Sequence, residues 1–244
     1  MLKKKISRKS SLQILGLLTA GITSFTWWLK TPKKPKNRLA MVMDLDKCIG
    51  CHACTVACKS ENGVAIGGSR TRVLEQEHGS YPETSRFFLP MMCNHCEDAP
   101  CLSACPNDAI IRKDNGLVDI NKDKCKGYQI CVSACPYGAI YINPDRDPDD
   151  QVKDYPARAV GKADKCNFCE HRLEQGLEPA CSNTCPTDAR IFGDLADPNS
   201  KVFQIVNEEK LNGLLPEKGT NPQVYYKGGM PEIFNPSNAI NKKA

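Results

Sequence analysis

Aromatic residues are scarce: two Trp, seven Tyr and seven Phe, 7% of 244 positions. A large core built on rings is therefore excluded, and a small fold stapled by cofactors suits the composition better. The chain lacks a G-x-G-x-x-G run and a P-loop, so it carries no dinucleotide or phosphate fingerprint. No nucleophile stands beside a base, and nothing offers a place for a pterin or flavin, so the chain reads as non-catalytic. Beyond one run near the amino terminus, no apolar stretch is long enough to span a bilayer.

Acids are missing from residues 1–43, which hold Lys3, Lys4, Lys5, Arg8, Lys9, Lys30, Lys33, Lys34, Lys36 and Arg38. Taking these ten from the 33 basic residues leaves 23 against 28 acids, so the net charge of +5 becomes −5 for the remainder. A protein that binds nucleic acid carries its basic excess on the folded domain. Here the excess sits on the leader, and nucleic acid is not an expected partner.

After the basic residues 1–9, Leu12 to Leu29 is a largely apolar run ending in Trp27 and Trp28, followed by a polar, proline-bearing linker to Arg38. The layout is that of an export signal or a single membrane anchor. Ser7-Arg-Lys-Ser-Ser-Leu-Gln13 resembles the twin-arginine signal, with Lys9 for the second arginine and Ser11 where Phe is common. That route suits a cofactor protein that must cross a membrane already folded. It places the protein on the periplasmic (outer) face, the alternative being the cytoplasmic face.

Cysteine is abundant, and its fifteen copies cannot pair completely within one chain. They fall into four motifs. The first is Cys48-x2-Cys51-x2-Cys54-x3-Cys58. The second is Cys93-x2-Cys96-x4-Cys101-x3-Cys105-Pro106. The third is Cys125-x2-Tyr128-x2-Cys131-x3-Cys135-Pro136, and the fourth is Cys166-x2-Cys169-x11-Cys181-x3-Cys185-Pro186. The C-x2-C-x2-C-x3-C-P run is the bacterial ferredoxin signature: three cysteines wrap one cubane while the fourth reaches another. Zinc uses separated pairs in a tetrahedron, which three cysteines packed within seven residues do not suit. Pro after the last cysteine suggests that this cysteine starts a short helix. Asp46-Lys-Cys-Ile-Gly-Cys51 aligns with Asp123-Lys-Cys-Lys-Gly-Tyr128, a repeat whose Gly50 and Gly127 are expected where a Cβ would crowd the cluster.

Elsewhere the strands are short. Ala109–Arg112 and Leu117–Ile120 flank Asp114-Asn-Gly116, a hairpin signal. Residues 59–92 read as loop with little regular structure, and Asn143–Asp150 as a polar linker. The tail from Gly213 is expected to be mobile or to lie over a partner. His52, His95 and His171 supplement full cysteine sets, so hydrogen bonding or plain exposure is expected of them rather than ligation. Lys126 and Arg172 are expected to be solvated.

Several stretches resemble one family closely: Asp46–Cys51, Met92-Cys-Asn-His-Cys-Glu-Asp-Ala-Pro-Cys101, Ser133-Ala-Cys-Pro-Tyr137, Lys165-Cys-Asn-Phe-Cys169 and Pro179-Ala-Cys181. Residues 39–193 look like the four-cluster electron-transfer (beta) subunit of the molybdopterin oxidoreductases, the dimethyl sulfoxide reductase superfamily. The resemblance implies an α+β fold of two intertwined bacterial-ferredoxin-like modules with short helices and hairpins, after a leader at 1–38 and before a tail at 194–244. It implies that motifs one and four pair, as do two and three. One [4Fe–4S] cluster would then take Cys48, Cys51, Cys54 and Cys185; a second Cys58, Cys166, Cys169 and Cys181; a third Cys93, Cys96, Cys101 and Cys135. Cys105, Cys125 and Cys131 remain, with Tyr128 replacing the fourth ligand, which implies a [3Fe–4S] cluster or a cubane with an oxygen ligand. The implied function is single-electron relay between a molybdopterin catalytic subunit and a membrane quinone-linked anchor subunit. The alternative is a hydrogenase subunit or a free-standing polyferredoxin.

Overall fold

Leu39–Asp44, β1, is an almost unbroken apolar run, and Ala40 to Met43 have no solvent exposure. That is the pattern of a strand covered on both faces. The computed structural model describes residues 37–144 and 159–229. The expected leader, including Trp27 and Trp28, most of the linker before the fourth motif, and the last fifteen residues lie outside the described residues.

The helix α1, Ala53–Asn62, ends at Gly63, whose left-handed backbone (φ 54°) lets its N–H cap the last turn. Cys54 and Cys58, four apart, share the buried side of this helix. Next come β2, Thr71–Ser80, and β3, Glu83–Met92, paired antiparallel from Thr71↔Met92 to Ser80↔Glu83. The loop expected over 59–92 is thus largely a hairpin of two ten-residue strands. Its base is buried at Leu89 to Met92, and its outer half is mostly exposed, with Arg86 clasping Glu75 and Glu77 at 2.9 Å each. Pro90 and the acidic outer residues mask its alternation in the sequence.

The helix α2, Pro100–Ser103, leads into β4, Ile110–Arg112, and β5, Val118–Ile120, the hairpin expected around Asn115-Gly116. α3, Ile130–Ala134, is followed by β6, Tyr141–Ile142, and its partner β7, Ala163–Asp164. Two more single-turn helices follow, α4 at Glu170–Leu173 and α5 at Ala180–Asn183. Then come β8, Arg190–Asp194, α6, Lys201–Glu208, and β9, Val224–Lys227.

β1 is the middle of a three-stranded sheet, antiparallel to β8 and parallel to β9. The segment read as a tail is therefore partly built into the core: Val224 and Tyr226 have no exposure, and the Tyr226 hydroxyl donates to Pro90 O at 2.9 Å. α6 lays Val202 over Ala40, Val42 and Ile191. α1 packs against α5, and α2 against α3. Among the described residues no helix is long and apolar enough to cross a membrane.

Candidate metal centres

All fifteen cysteines are free of disulfides. Three of the expected ligand groups border cavities. Cys48, Cys51, Cys54 and Cys185 line one, together with Val73 and Pro90 from the β2–β3 hairpin. Cys93, Cys96, Cys101 and Cys135 line another. Cys105, Cys125, Cys131 and Tyr128 line a third. The fourth group is brought together by other contacts: Asn62 Nδ2 donates to both Cys58 Sγ and Cys169 Sγ, at 3.6 and 3.5 Å, and Cys181 and Cys166 lie within electrostatic reach of Cys58.

The turns around these groups correct one expectation. The last cysteine of motifs two to four follows its helix rather than starting one. Cys105, Cys135 and Cys185 each accept, through the carbonyl, the N–H three residues on, with Pro second in the turn, where its fixed φ fits. The chain thereby curls back so that Ala109 N–H and Ala139 N–H donate to Cys105 Sγ and Cys135 Sγ at 3.3 and 3.5 Å. At the two glycines the chain itself leaves no room for a side chain. A Cβ on Gly50 (φ 69°) would lie 2.3 Å from the Phe88 ring, and one on Gly127 (φ 76°) 2.2 Å from Gly161 O.

The sulfur environments suit ligands of a positively charged core. Burial pushes the Cys58, Cys96 and Cys101 thiols up to about 12, and Cys166 well above its ordinary range. Left as thiolates they would be costly, and bound iron offsets that cost by replacing the proton, coupling metal uptake to folding. Further amides aim at sulfur: Phe168 N–H at Cys166 Sγ, 3.3 Å, and Ala163 N–H at Cys125 Sγ, 3.4 Å. At Cys185 burial raises the thiol, but the amides of Thr187 and Ala189 and the Thr187 hydroxyl outweigh it, so its pKa is lowered.

The histidines divide. His95 has no exposure; its Nδ1 accepts Val118 N–H at 3.2 Å and its ring stacks on Phe168 at 4.1 Å. Burial, with Lys165 adding, holds it neutral. Its buried Nε2 has no protein partner among the described residues, a donor left over beside the second motif. His52 is exposed, and His171 pairs with Glu61 at 2.7 Å, as does Arg172 at 2.9 Å, so Arg172 is anchored rather than solvated.

The buried cations were not foreseen from the sequence. Lys165 is 2% exposed and donates to Cys166 O at 2.9 Å and to Val118 O. Arg70 grips Asp164 at 2.8 and 3.0 Å and reaches Asn62 and Asn167. Arg72 donates to Gly138 O and Tyr137 O, and Arg190 is 4% exposed. Nothing in a local window separates such residues from surface lysines and arginines, which are the commoner case.

A mixed helix and strand fold with short turns presenting cysteines to small cavities defines a ferredoxin-type iron–sulfur protein. Residues 84–195 match the family model described as a 4Fe-4S dicluster domain, and residues 39–60 match one described as a 4Fe-4S binding domain. The chain is 39% identical over 235 residues to the B subunit of tetrathionate reductase from Salmonella typhimurium, covering 91% of this chain and 88% of that one. It is 38% identical to the arsenate respiratory reductase iron–sulfur subunit of a Shewanella species, over 78% of this chain and 95% of that one. It is 37% identical to the B subunit of selenate reductase from Mesobacillus selenatarsenatis, over 80% and 74%. The chain belongs to the iron–sulfur electron-transfer subunits of the molybdopterin oxidoreductase superfamily.

Proposed function

We propose that this chain relays single electrons between a molybdopterin catalytic subunit and a membrane quinone-linked subunit. Iron–sulfur clusters supply the one-electron carriers; the chain holds them in order and sets their surroundings. The observation that carries the proposal is how the cysteine groups follow one another. Cys54 and Cys58 sit one helical turn apart on α1, and Cys181 with Cys185, Cys101 with Cys105 and Cys131 with Cys135 share the same spacing. On α1, where both cysteines are helical, such spacing puts the Cβ atoms about 5–6 Å apart; in the other three pairs the second cysteine lies in the turn just past its helix. Each of these pairs divides between neighbouring groups, and Cys93 lies within electrostatic reach of Cys166 to join the middle two. The result is a continuous series: the Cys48 group, the Cys58 group, the Cys93 group, the Cys105 group.

The two ends differ from the middle. At the first, Cys51 is exposed beside Ile49 (58% exposed) and Val56 (67%); at the last, Tyr128 (61%) and Ile130 (48%) face solvent. Apolar surface beside a cysteine group suits docking of a donor or acceptor. We assign the Cys48 end to the catalytic subunit and the Cys105 end to the membrane subunit. The packing of α1 on α5 and of α2 on α3 supports two intertwined modules within 39–193, and the ligand groups given above are the proposed sets, three for [4Fe–4S] and the Cys105 group for [3Fe–4S].

The relay is tested by reducing the purified complex with a quinol and then adding the catalytic subunit's substrate. All four clusters are expected to reoxidise within the turnover time, the signals of the reduced [4Fe–4S] centres disappearing and that of the oxidised [3Fe–4S] centre returning; turnover with clusters still reduced would refute it. Low-temperature EPR of the oxidised protein tests the fourth site, where a near-isotropic [3Fe–4S] signal is expected and its absence would remove the role given to Tyr128. We further propose delivery to the outer face by the leader in 1–38. Amino-terminal sequencing and fractionation check it, and a cytosolic protein starting at Met1 would contradict it.

A further inference from the structure

Arg190 opens β8 and brings a charge that does not titrate into the core, where it is 4% exposed. Two neutral neighbours accept hydrogen bonds from it there: Thr71 Oγ1 at 2.8 Å from Nη2, and Met92 Sδ at 3.7 Å from Nη1. Among the described residues no carboxylate forms an ion pair with it. Arg190 lines one cavity with Cys48, Cys54 and Cys185, and apart from the Tyr226 hydroxyl the groups around it that can carry negative charge are sulfurs from two ligand sets. Cys54 and Cys48 belong to the first, Cys181 and Cys58 to the second, and Cys181 also accepts a hydrogen bond from the guanidinium.

A buried guanidinium without a carboxylate is expensive, and the cost is met only if something anionic lies against it. Thiolate-held clusters carry net negative charge. We propose that Arg190 is a positioning residue for electron flow, the shared counter-cation of the first and second thiolate sets. The inference rests on the ligand sets proposed above.

The consequence is electrostatic. When one electron passes from the first set to the second, the first becomes one charge less negative and the second one charge more. A cation on one side alone would bias that exchange. Arg190 touches both, so its attraction is largely conserved across the step, and it raises the potential on both sides by favouring whichever set holds the extra electron. Thr71, at the base of the β2–β3 hairpin, holds the guanidinium there, which gives that hairpin a part in the wire.

The test is a mediated redox titration of the full-chain protein in its complex, followed by EPR. Arg190→Gln is expected to lower the midpoints of the first and second clusters. At a fixed potential the oxidised-to-reduced ratio of each should rise at least tenfold, or 59 mV for a one-electron couple. The Cys93 and Cys105 centres should stay where they are, and Arg190→Lys, which keeps the charge, should restore most of the shift. Unchanged midpoints with intact clusters would overturn the proposal, as would an equal shift at all four centres. A second measurement needs no substitution: in protein labelled with 15N-arginine, pulsed EPR of the reduced first or second cluster should show a 15N coupling, and its absence would also overturn it. The ligand sets are checked separately by Cys48→Ser and Cys58→Ser, each of which should alter the spectrum of a single, different cluster.

Discussion

Arg70 and Asp164 allow a stability prediction in which each contribution can be sized. The pair is bidentate, at 2.8 and 3.0 Å, with the side chains 14% and 8% exposed. Burial pushes the Asp164 carboxyl up, but Arg70 and Lys122 overcome it and hold the carboxyl at about 2. Arg70→Met would leave a buried carboxylate with Lys122 at 2.6 Å and the Tyr141 hydroxyl at 2.6 Å. Breaking a buried pair by removing one partner costs about 3–5 kcal/mol; because two donors remain on Asp164, the lower end, about 3 kcal/mol, is expected here. For a domain of this size each kcal/mol moves Tm by about 2–4 °C, so a fall of about 6–12 °C is predicted. The assay is an anaerobic melt of the cluster-loaded protein at one fixed scan rate, since cluster loss makes unfolding irreversible. The pH dependence carries a definite sign. A carboxyl whose folded pKa is depressed stabilises fully above its ordinary value near 4, and that contribution disappears as pH falls from about 4 to about 2. Arg70→Met should therefore show less of this loss below pH 4 than the parent does. A Tm shift under 2 °C, or an unchanged acid limb, would refute the account of this pair.

Three further outcomes are expected. Tyr128→Cys should complete a four-thiolate set, abolish the [3Fe–4S] EPR signal and add one iron per chain, measured by iron analysis. Gly50→Ala places a Cβ 2.3 Å from the Phe88 ring at φ 69°, so it should cost about 1–3 kcal/mol and loosen the Cys48 cluster, seen as faster bleaching by a chelator; Phe88→Leu should recover part of the loss. Replacing the hairpin tip, residues 77–84, by a short turn should leave all four cluster spectra unchanged and shift Tm little, because the tip is mostly exposed and lies far along the ribbon from Pro90 and Val73.

The hairpin shows where the sequence becomes hard to read. Val73-Leu74 and Phe87-Phe88-Leu89 favour strands, but Pro90, the glutamates Glu75, Glu77 and Glu83 and a turn without Asn-Gly hide the alternation. Tyr226 offers another case. Four residues, Val224–Lys227, make too short a run to identify as a strand, and only the exposed backbone edge of β1 gives them their place. The Asp114-Asn-Gly116 turn was legible because its conformational demand is local.

The same division explains the centres. That this chain binds iron–sulfur clusters was determined by sequence alone, because three cysteines within seven residues are neighbours in any fold and their chemistry follows from that spacing. Tyr128, standing where a fourth cysteine would, was likewise visible as a departure from the repeat. Bringing Cys185 to Cys48, Cys181 to Cys58 and Cys135 to Cys93 required tertiary structure, since each pair is distant along the chain. So did the cations. A buried Arg190, a buried Lys165 and a paired Arg70 are the same letters as a solvated surface, and only the packing around them removes the water that would otherwise screen their charge.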